Sequence, residues 1–508
     1  MEEGAWDIEV TAKNPSNQDT GAATVTYNVA SRIVANAPVV NTVSTNTLMA
    51  LFSVPPCAAG NVSVTFWPTS NAADVTSTRS VPCKPGKSLN FLIAGMLPTT
   101  EYTLRHRTVS GWTTTNGPTL TFTTGALPSG IPNASVTYPP DPATSQLDKV
   151  ILEIGLLPFS RCVARNLSGV PVWYYDTSIH GPLTYCLRPL LGGTMMVVPQ
   201  PAPSLGQLII REVDLAGNTL HETNALRLSE QLVAMGKQPI TGIHHDAIRL
   251  PNGNSAMIVS REKTISSRRL LGDGIVVVNS DFQVLWSFDT LEKLDTNSPA
   301  VLGEMCNASA QGGCPPFSLP TPVEDWTHAN AVSYTDDGNF VMSLRHLDLV
   351  IKVRYANGAG NGDVIWKLGP QGDITLTNPG ISPFPFNSHQ HYSILKGNRL
   401  WLYDNGNTRV SQLGGNSRGQ VYLINEATKT ATLELNADLG VYAFALGSAQ
   451  RLSNGNFAFS SGDVTNVTGF HHEVIPNPLP GGTLNYRNQV PNVWYRALRM
   501  RDMYTYLD

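Results

Sequence analysis

One phrase recurs along this chain, and it limits the available folds more than any other feature. Within residues 386–403, His389 and His391 stand two residues apart ahead of a short apolar segment, a Gly397-Asn398 turn and a second apolar segment. That is the pattern of a β-hairpin preceded by a histidine-rich edge. The frame returns at 244–254, at 328–339 and at 447–456. Superposing the turn glycines brings His245, Asn330 and Gly447 to one position. His391 joins them if its hairpin is shorter by about two residues; otherwise His389 takes the place. Three copies are followed by a further apolar run, at 284–288, 364–368 and 431–435. About four short strands per repeat, at a period of roughly fifty to eighty residues, is the signature of propeller blades.

Upstream, 185–198 with 207–222 reads as a degenerate blade, and 150–175 supplies strands for another. The C-terminal 493–500 completes a blade or closes the ring. The expected count is six blades, with seven as the fallback. At 508 residues the chain exceeds one ordinary core. The division expected is an N-terminal extension or partial β module over 1–35, a β-sandwich over 36–126, a Pro/Ser/Gly-rich linker over 127–146 and the propeller over 147–508. Strand-like alternation over 36–126 supports the sandwich, and residues 97–104, ending Glu101-Tyr102-Thr103-Leu104, look like the tyrosine-corner approach of fibronectin type III domains. The class is therefore all-β, with 225–235 the one convincing helical stretch.

A formal charge of −4 and scattered Lys and Arg present no basic face, which excludes nucleic acid as the main partner. No apolar run reaches the ~18 residues of a membrane span. Six cysteines fall as sequence neighbours, Cys57 with Cys83, Cys162 with Cys186 and Cys306 with Cys314, without a CxxC. Zinc ligation is not expected, and sequential disulfides in an exported protein, periplasmic or secreted, are the better reading than free buried thiols. The acidic Met1-Glu2-Glu3 start lacks the apolar core of a secretory signal, as expected of a mature or trimmed form. The long stretch 291–325 before His328 is expected to wall or cover the site.

In a propeller the innermost strands line the central channel, so His245, Asn330 and His391, with His244, His328 and His389, are expected to meet at its mouth. On an extended strand i and i+2 share a side, which pairs His328 with Asn330 and His389 with His391. Of the adjacent His244 and His245, repeat alignment favours His245, though a His-His-Asp turn presents either. Arg345, placed on the following strand, adds a fixed cation. The acids near in sequence are Asp246, Glu324 and Asp325, and no obligatory carboxylate base is expected. Imidazoles, an amide and a guanidinium suit an anionic group better than a metal. A neutral imidazole can attack the sulfur of a sulfate ester while cations offset oxygen charge and a second histidine protonates the leaving phenoxide. His346, His180, His221 and His106 read as surface or satisfied core, and His471, His472 and Glu473 as a weaker rim candidate. Trp286 and Trp366 read as interblade core. Tyr174, Tyr175, Tyr392 and Phe444 read as packing first and aromatic stacking second.

From 147 to the end the chain resembles the bacterial aryl-sulfate sulfotransferases. The resemblance rests on His244-His245-Asp246 before Leu250-Pro251-Asn252-Gly253-Asn254, on Asp325-Trp326-Thr327-His328-Ala329-Asn330, on Ser343-Leu344-Arg345-His346, on Trp366-Lys367-Leu368-Gly369 and on Gln390-His391. It implies a six-bladed propeller behind a β-sandwich and nucleotide-independent sulfuryl transfer between phenols by a ping-pong route through a sulfohistidine. By motif position His391 is the expected nucleophile. His328, Arg345, His245 and His244 form the remaining catalytic set, and Asn330, His389, Gln390 and Tyr392 the substrate-binding set. The partners implied are an aryl sulfate donor and a phenolic acceptor, with no cofactor and no metal; a homodimer is admitted. Two other classes compete: a propeller binding or adhesion module, and a metal-dependent propeller lyase or hydrolase.

Overall fold

The computed structural model describes residues 3–13, 19–157, 161–175, 183–200, 204–306, 322–381, 384–476 and 480–506. It is all-β, with 53% strand and 6% helix. The expected helix forms over Ala225–Ala234, where the Asn224 side chain accepts from the Arg227 N–H and Leu228 and Leu232 face inward.

Strict alternation makes the N-terminal sandwich. In Asn61–Pro68 every second residue, including Val62, Val64 and Phe66, is buried. One sheet joins Val39–Val43, Asn46–Val54 and Leu89–Ile93; the other centres on Asn61–Pro68 and Glu101–Ser110. The Tyr102 hydroxyl accepts from Leu97 N–H at 2.8 Å, as the tyrosine-corner pattern requires. Ahead of the sandwich, Gly4–Lys13 and Asp19–Val29 pair as a two-stranded sheet.

From Val150 onward the described chain forms six sheets, each with an antiparallel four-strand core. The first joins Pro171–Tyr175, Cys162–Asn166 and Val150–Leu157 to the C-terminal strand Val493–Met500. The second runs Leu183–Leu190, Thr194–Gln200, Ile209–Asp214 and Thr219–Asn224. The third starts at Gly242–Arg249, the fourth at Ala329–Tyr334, the fifth at His391–Lys396 and the sixth at Ser448–Arg451. Starting strands of successive sheets lie side by side from Leu183–Leu190 round to Ser448–Arg451, which lies beside Val493–Met500. Apolar layers fill the space between sheets: Trp286 packs with the fourth sheet and Trp366 with the fifth, as their recurrence indicates.

The stretch expected to be a linker contributes structure instead. Ser135–Tyr138 pairs with Thr483–Val490 at the outer edge of the sixth sheet, because its alternating Val136 and Tyr138 suit an edge strand. The chain end also departs from a simple last strand. Past Met500, Tyr504 enters the sandwich core, donating to Leu92 O and accepting from Ala94 N–H.

Cys57–Cys83 and Cys162–Cys186 are disulfides. Cys306 is also disulfide-bonded, while Cys314 lies outside the described residues. Met305–Cys306 pairs with Val323–Asp325, which continues the third sheet. Among the described residues no helix is long and apolar enough to cross a membrane.

Asp246 fastens the starting strands together. Fully buried, it accepts from Arg188 Nη2 and Arg496 Nη1, both at 2.9 Å, and from Val332 N–H at 3.2 Å, groups belonging to three other sheets. Arg496 also donates to Asn330 O at 2.7 Å.

Candidate active site

The candidate residues sit where the starting strands leave regular geometry. Between Ile243 and Ala247 the ladder is broken by a bulge that contains His244, His245 and Asp246. Asn330 is the extra residue between Ala329 and Ala331, and Tyr392 and Ser393 lie opposite a single residue after His391. His245, His328, His389 and Tyr392 all have positive φ, between 44° and 58°. For residues with a Cβ this costs about 1–2 kcal/mol each, and such costs concentrate at functional sites. His328 and His389 stand with positive φ just ahead of strands that begin at Ala329 and His391, so the two-residue strand alternation expected for His328 with Asn330 and for His389 with His391 does not apply to them. Arg345 likewise lies not on a strand but at the start of the 3-10 turn Arg345–Leu347.

These distortions bring the rings together. His244 Nδ1 lies 2.7 Å from His245 Nδ1, so both adjacent histidines belong to one cluster. The His245 and His328 rings are 4.9 Å apart, His328 and His346 4.3 Å, and His346 and His389 5.7 Å. Arg345 Nη1 donates to His346 Nε2 at 2.7 Å and Nη2 to Phe444 O at 3.1 Å. Among the described residues its Nε–H is buried without an acceptor, and the side-chain amide oxygen Oδ1 of Asn330 is buried without a donor. Tyr495, from the C-terminal strand, donates to His245 O.

Carboxylates back three of the histidines, and of these acids sequence proximity suggests only Asp325. His244 Nε2 donates to Asp273 at 3.0 Å, His328 Nδ1 is 2.6 Å from Asp325, and His389 meets Asp348 at 2.8 Å and Glu304 at 2.5 Å. Of the three acids near in sequence, only Asp325 takes part directly; Asp246 is the structural anchor and Glu324 pairs with Arg268. His391 differs: its Nδ1 is 2.6 Å from Asn405 Oδ1.

The remaining candidates occupy supporting positions. The Gln390 amide donates to Leu349 O at 2.8 Å and to Ser343 Oγ, bracing the fourth sheet rather than opening to a ligand. Tyr392 is buried beneath the Arg496 and Arg188 guanidinium groups, with its hydroxyl 2.7 Å from that of Tyr506. The Asn330 amide donates to Gln390 O. His346 is buried with both ring nitrogens partnered, by Asp325 O and Arg345 Nη1, in line with the satisfied-core reading, and the turn places it beside the cluster. His471, His472 and Glu473 are buried between sheets and form no rim. Tyr174 and Tyr175 are buried, Tyr174 against the sandwich, whereas Phe444 stands more than half exposed beside Arg345. His180 lies outside the described residues. Asp325, His328 and His346 also hold ligand atoms within 4.8 Å of one another, a grouping able to take a metal ion.

Burial, then the Arg345 charge, lowers His391 well below the ordinary imidazole range, and the same two causes lower His328. Burial and neighbouring histidines lower His245; burial and the Asp273 charge raise Asp325 well above the ordinary range. His346, His471 and His472 are also lowered, first by burial. The unfolded chain takes up protons at these histidines below about pH 6.5, whereas the folded chain does not. Their stabilisation is thus full above that pH and lost as pH falls below it; the raised carboxyls of Asp325, Glu153, Asp289 and Asp463 act in the opposite sense but are fewer than the six histidines. We expect Tm to fall on acidification from pH 7 to 5 in a thermal melt series. A flat or rising Tm would contradict this charge assignment.

No curated protein matches the chain. Among solved structures it is similar to a protein of unknown function from Bacteroides caccae, at 12% identity and TM-score 0.39 over 69% of this chain and 97% of that one. It is also similar to a structure described as the eukaryotic initiation factor, at 10% identity and TM-score 0.25 over 87% and 98%. Neither likeness carries weight for fold or function at these scores. The arylsulfotransferase (ASST) family model, by contrast, matches residues 160–478, a span holding His244, His245, His328, Asn330, Arg345 and His391. The chain therefore belongs to the arylsulfotransferase family, enzymes that transfer sulfuryl groups.

Proposed function

We propose that this protein is an exported aryl-sulfate sulfotransferase that moves a sulfuryl group from an aryl sulfate to a phenol without a nucleotide, by a ping-pong route through a sulfohistidine at His391. The six sheets are taken as blades of a closed six-bladed propeller over 147–508, preceded by a fibronectin type III-like sandwich over 36–126. The disulfides and the side-by-side starting strands support both parts of this assignment.

The observation that carries the reading is a buried guanidinium donor with no acceptor, Arg345 Nε–H, in the cluster where His391 is held neutral. An unpaired buried donor costs about 1–3 kcal/mol, a cost that an anionic oxygen removes on binding. In this scheme Arg345 holds the sulfuryl oxygens and the His328–Asp325 pair moves the proton to and from the phenol oxygen. His244, tied to Asp273, and His245 beside it steady the second face. Asn330, Gln390, His389 and Tyr392 hold the strand bulges that aim these groups. The exposed Phe444 ring suits stacking against the aryl group. The test is sulfate exchange between p-nitrophenyl sulfate and a panel of phenols in nucleotide-free buffer. Release of p-nitrophenol matched by a sulfated phenol supports the reading, and release to water alone sinks it.

One observation favours a second reading, a metal-dependent lyase or hydrolase: the Asp325, His328 and His346 grouping. Turnover that survives exhaustive chelation excludes it, whereas loss by chelation with recovery on adding zinc supports it.

A further inference from the structure

We propose that Asn405 is a positioning residue that sets the rates of both half-reactions by keeping a proton on His391 Nδ1; this rests on the sulfohistidine reading above. Asn405 is fully buried, and its orientation is fixed from the far side. Its Nδ2 donates to Ala443 O at 2.8 Å and to Leu446 O at 2.9 Å, while its backbone carbonyl accepts from Ser417 Oγ at 3.0 Å. Oδ1 therefore faces His391 Nδ1 at 2.6 Å. An amide oxygen only accepts, so the imidazole carries its hydrogen on Nδ1 and leaves the lone pair on Nε2.

The contrast with the neighbours gives this its meaning. His244, His328 and His389 are backed by the carboxylates of Asp273, Asp325, and Asp348 with Glu304. In the first half-reaction the Nε2 lone pair forms the N–S bond and the S–O(aryl) bond breaks. The electron pair departs on phenolate, which takes a proton from the His328–Asp325 pair. Because a neutral amide does not remove the Nδ1 proton, the product is an N-sulfo-imidazolium. In the second half the acceptor phenol gives its proton to that pair, its oxygen attacks sulfur, and the S–N pair returns to Nε2 as a neutral imidazole. A carboxylate behind Nδ1 draws that proton away and makes the imidazole a poorer leaving group.

The test uses Asn405→Asp and Asn405→Ala in the full chain. On mixing with p-nitrophenyl sulfate, Asn405→Asp should keep its p-nitrophenol burst within about threefold of wild type, while discharge to phenol slows at least roughly tenfold, so that sulfated enzyme accumulates. Asn405→Ala should slow both halves. Equal burst and discharge changes in Asn405→Asp, or none, would overturn the proposal. Should either variant misfold, ¹⁵N shifts of the wild-type His391 ring decide: Nδ1–H supports it and Nε2–H overturns it. A wild-type enzyme that transfers sulfate with no burst and no adduct would instead refute the sulfohistidine reading on which it rests.

Discussion

His391→Ala should abolish sulfuryl transfer, by at least about 10³-fold, in a chain that still folds. The lost contacts are few: the ring has one hydrogen bond among the described residues, to Asn405, so the stability cost stays within about 1–3 kcal/mol. His389→Ala is the informative control. Both nitrogens of His389 are occupied by Asp348 and Glu304, leaving no lone pair for sulfur. It should lose less activity and more stability than His391→Ala, as judged by transfer assays alongside thermal melts. A His391→Ala enzyme that retains a tenth or more of wild-type turnover is incompatible with the account.

Asp246→Ala should be the most destabilising of these changes. It leaves Arg188 and Arg496 facing each other in the interior without their shared carboxylate, and it removes the acceptor for Val332 N–H. Breaking a buried pair from one side costs about 3–5 kcal/mol, and here two buried cations lose a shared carboxylate. The change also frees Arg496, which holds Asn330 O, so activity should fall with stability. Chemical denaturation of the variant checks this, and a loss under about 1 kcal/mol would show that the anchor is dispensable. The run His244-His245-Asp246 is thereby divided: two residues belong to the histidine cluster and the third joins four sheets.

The strands and their grouping were legible because hydrophobic alternation and turn glycines are local. The third to sixth sheets begin at the hairpins marked by Gly253, Gly338, Gly397 and Gly455, and the fourth-strand runs containing Trp286 and Trp366 lie where their apolar pattern indicates. The separate linker failed on the same logic, since four alternating residues sufficed to join a sheet edge. The cluster was legible as a set of residue types but not as an arrangement. Bulges change the count by one or two residues and leave no mark on hydrophobic periodicity, so the side facing the site could not be read for His244 against His245. The carboxylates come from elsewhere: Asp273 from the third strand of its sheet, Glu304 from the long insertion, and Asp348 from a turn with positive φ. Asn405, one residue past its strand, gives no local signal beyond the turn-like Asp404-Asn405-Gly406.

The most direct measurement is mass analysis of enzyme quenched after mixing with p-nitrophenyl sulfate in the absence of acceptor, with fragmentation of the peptide that carries His389 and His391. An added mass of about 80 Da on the His391 ring, discharged when phenol is supplied, is the predicted result. An adduct on another residue, or full transfer activity with no adduct at all, would contradict it.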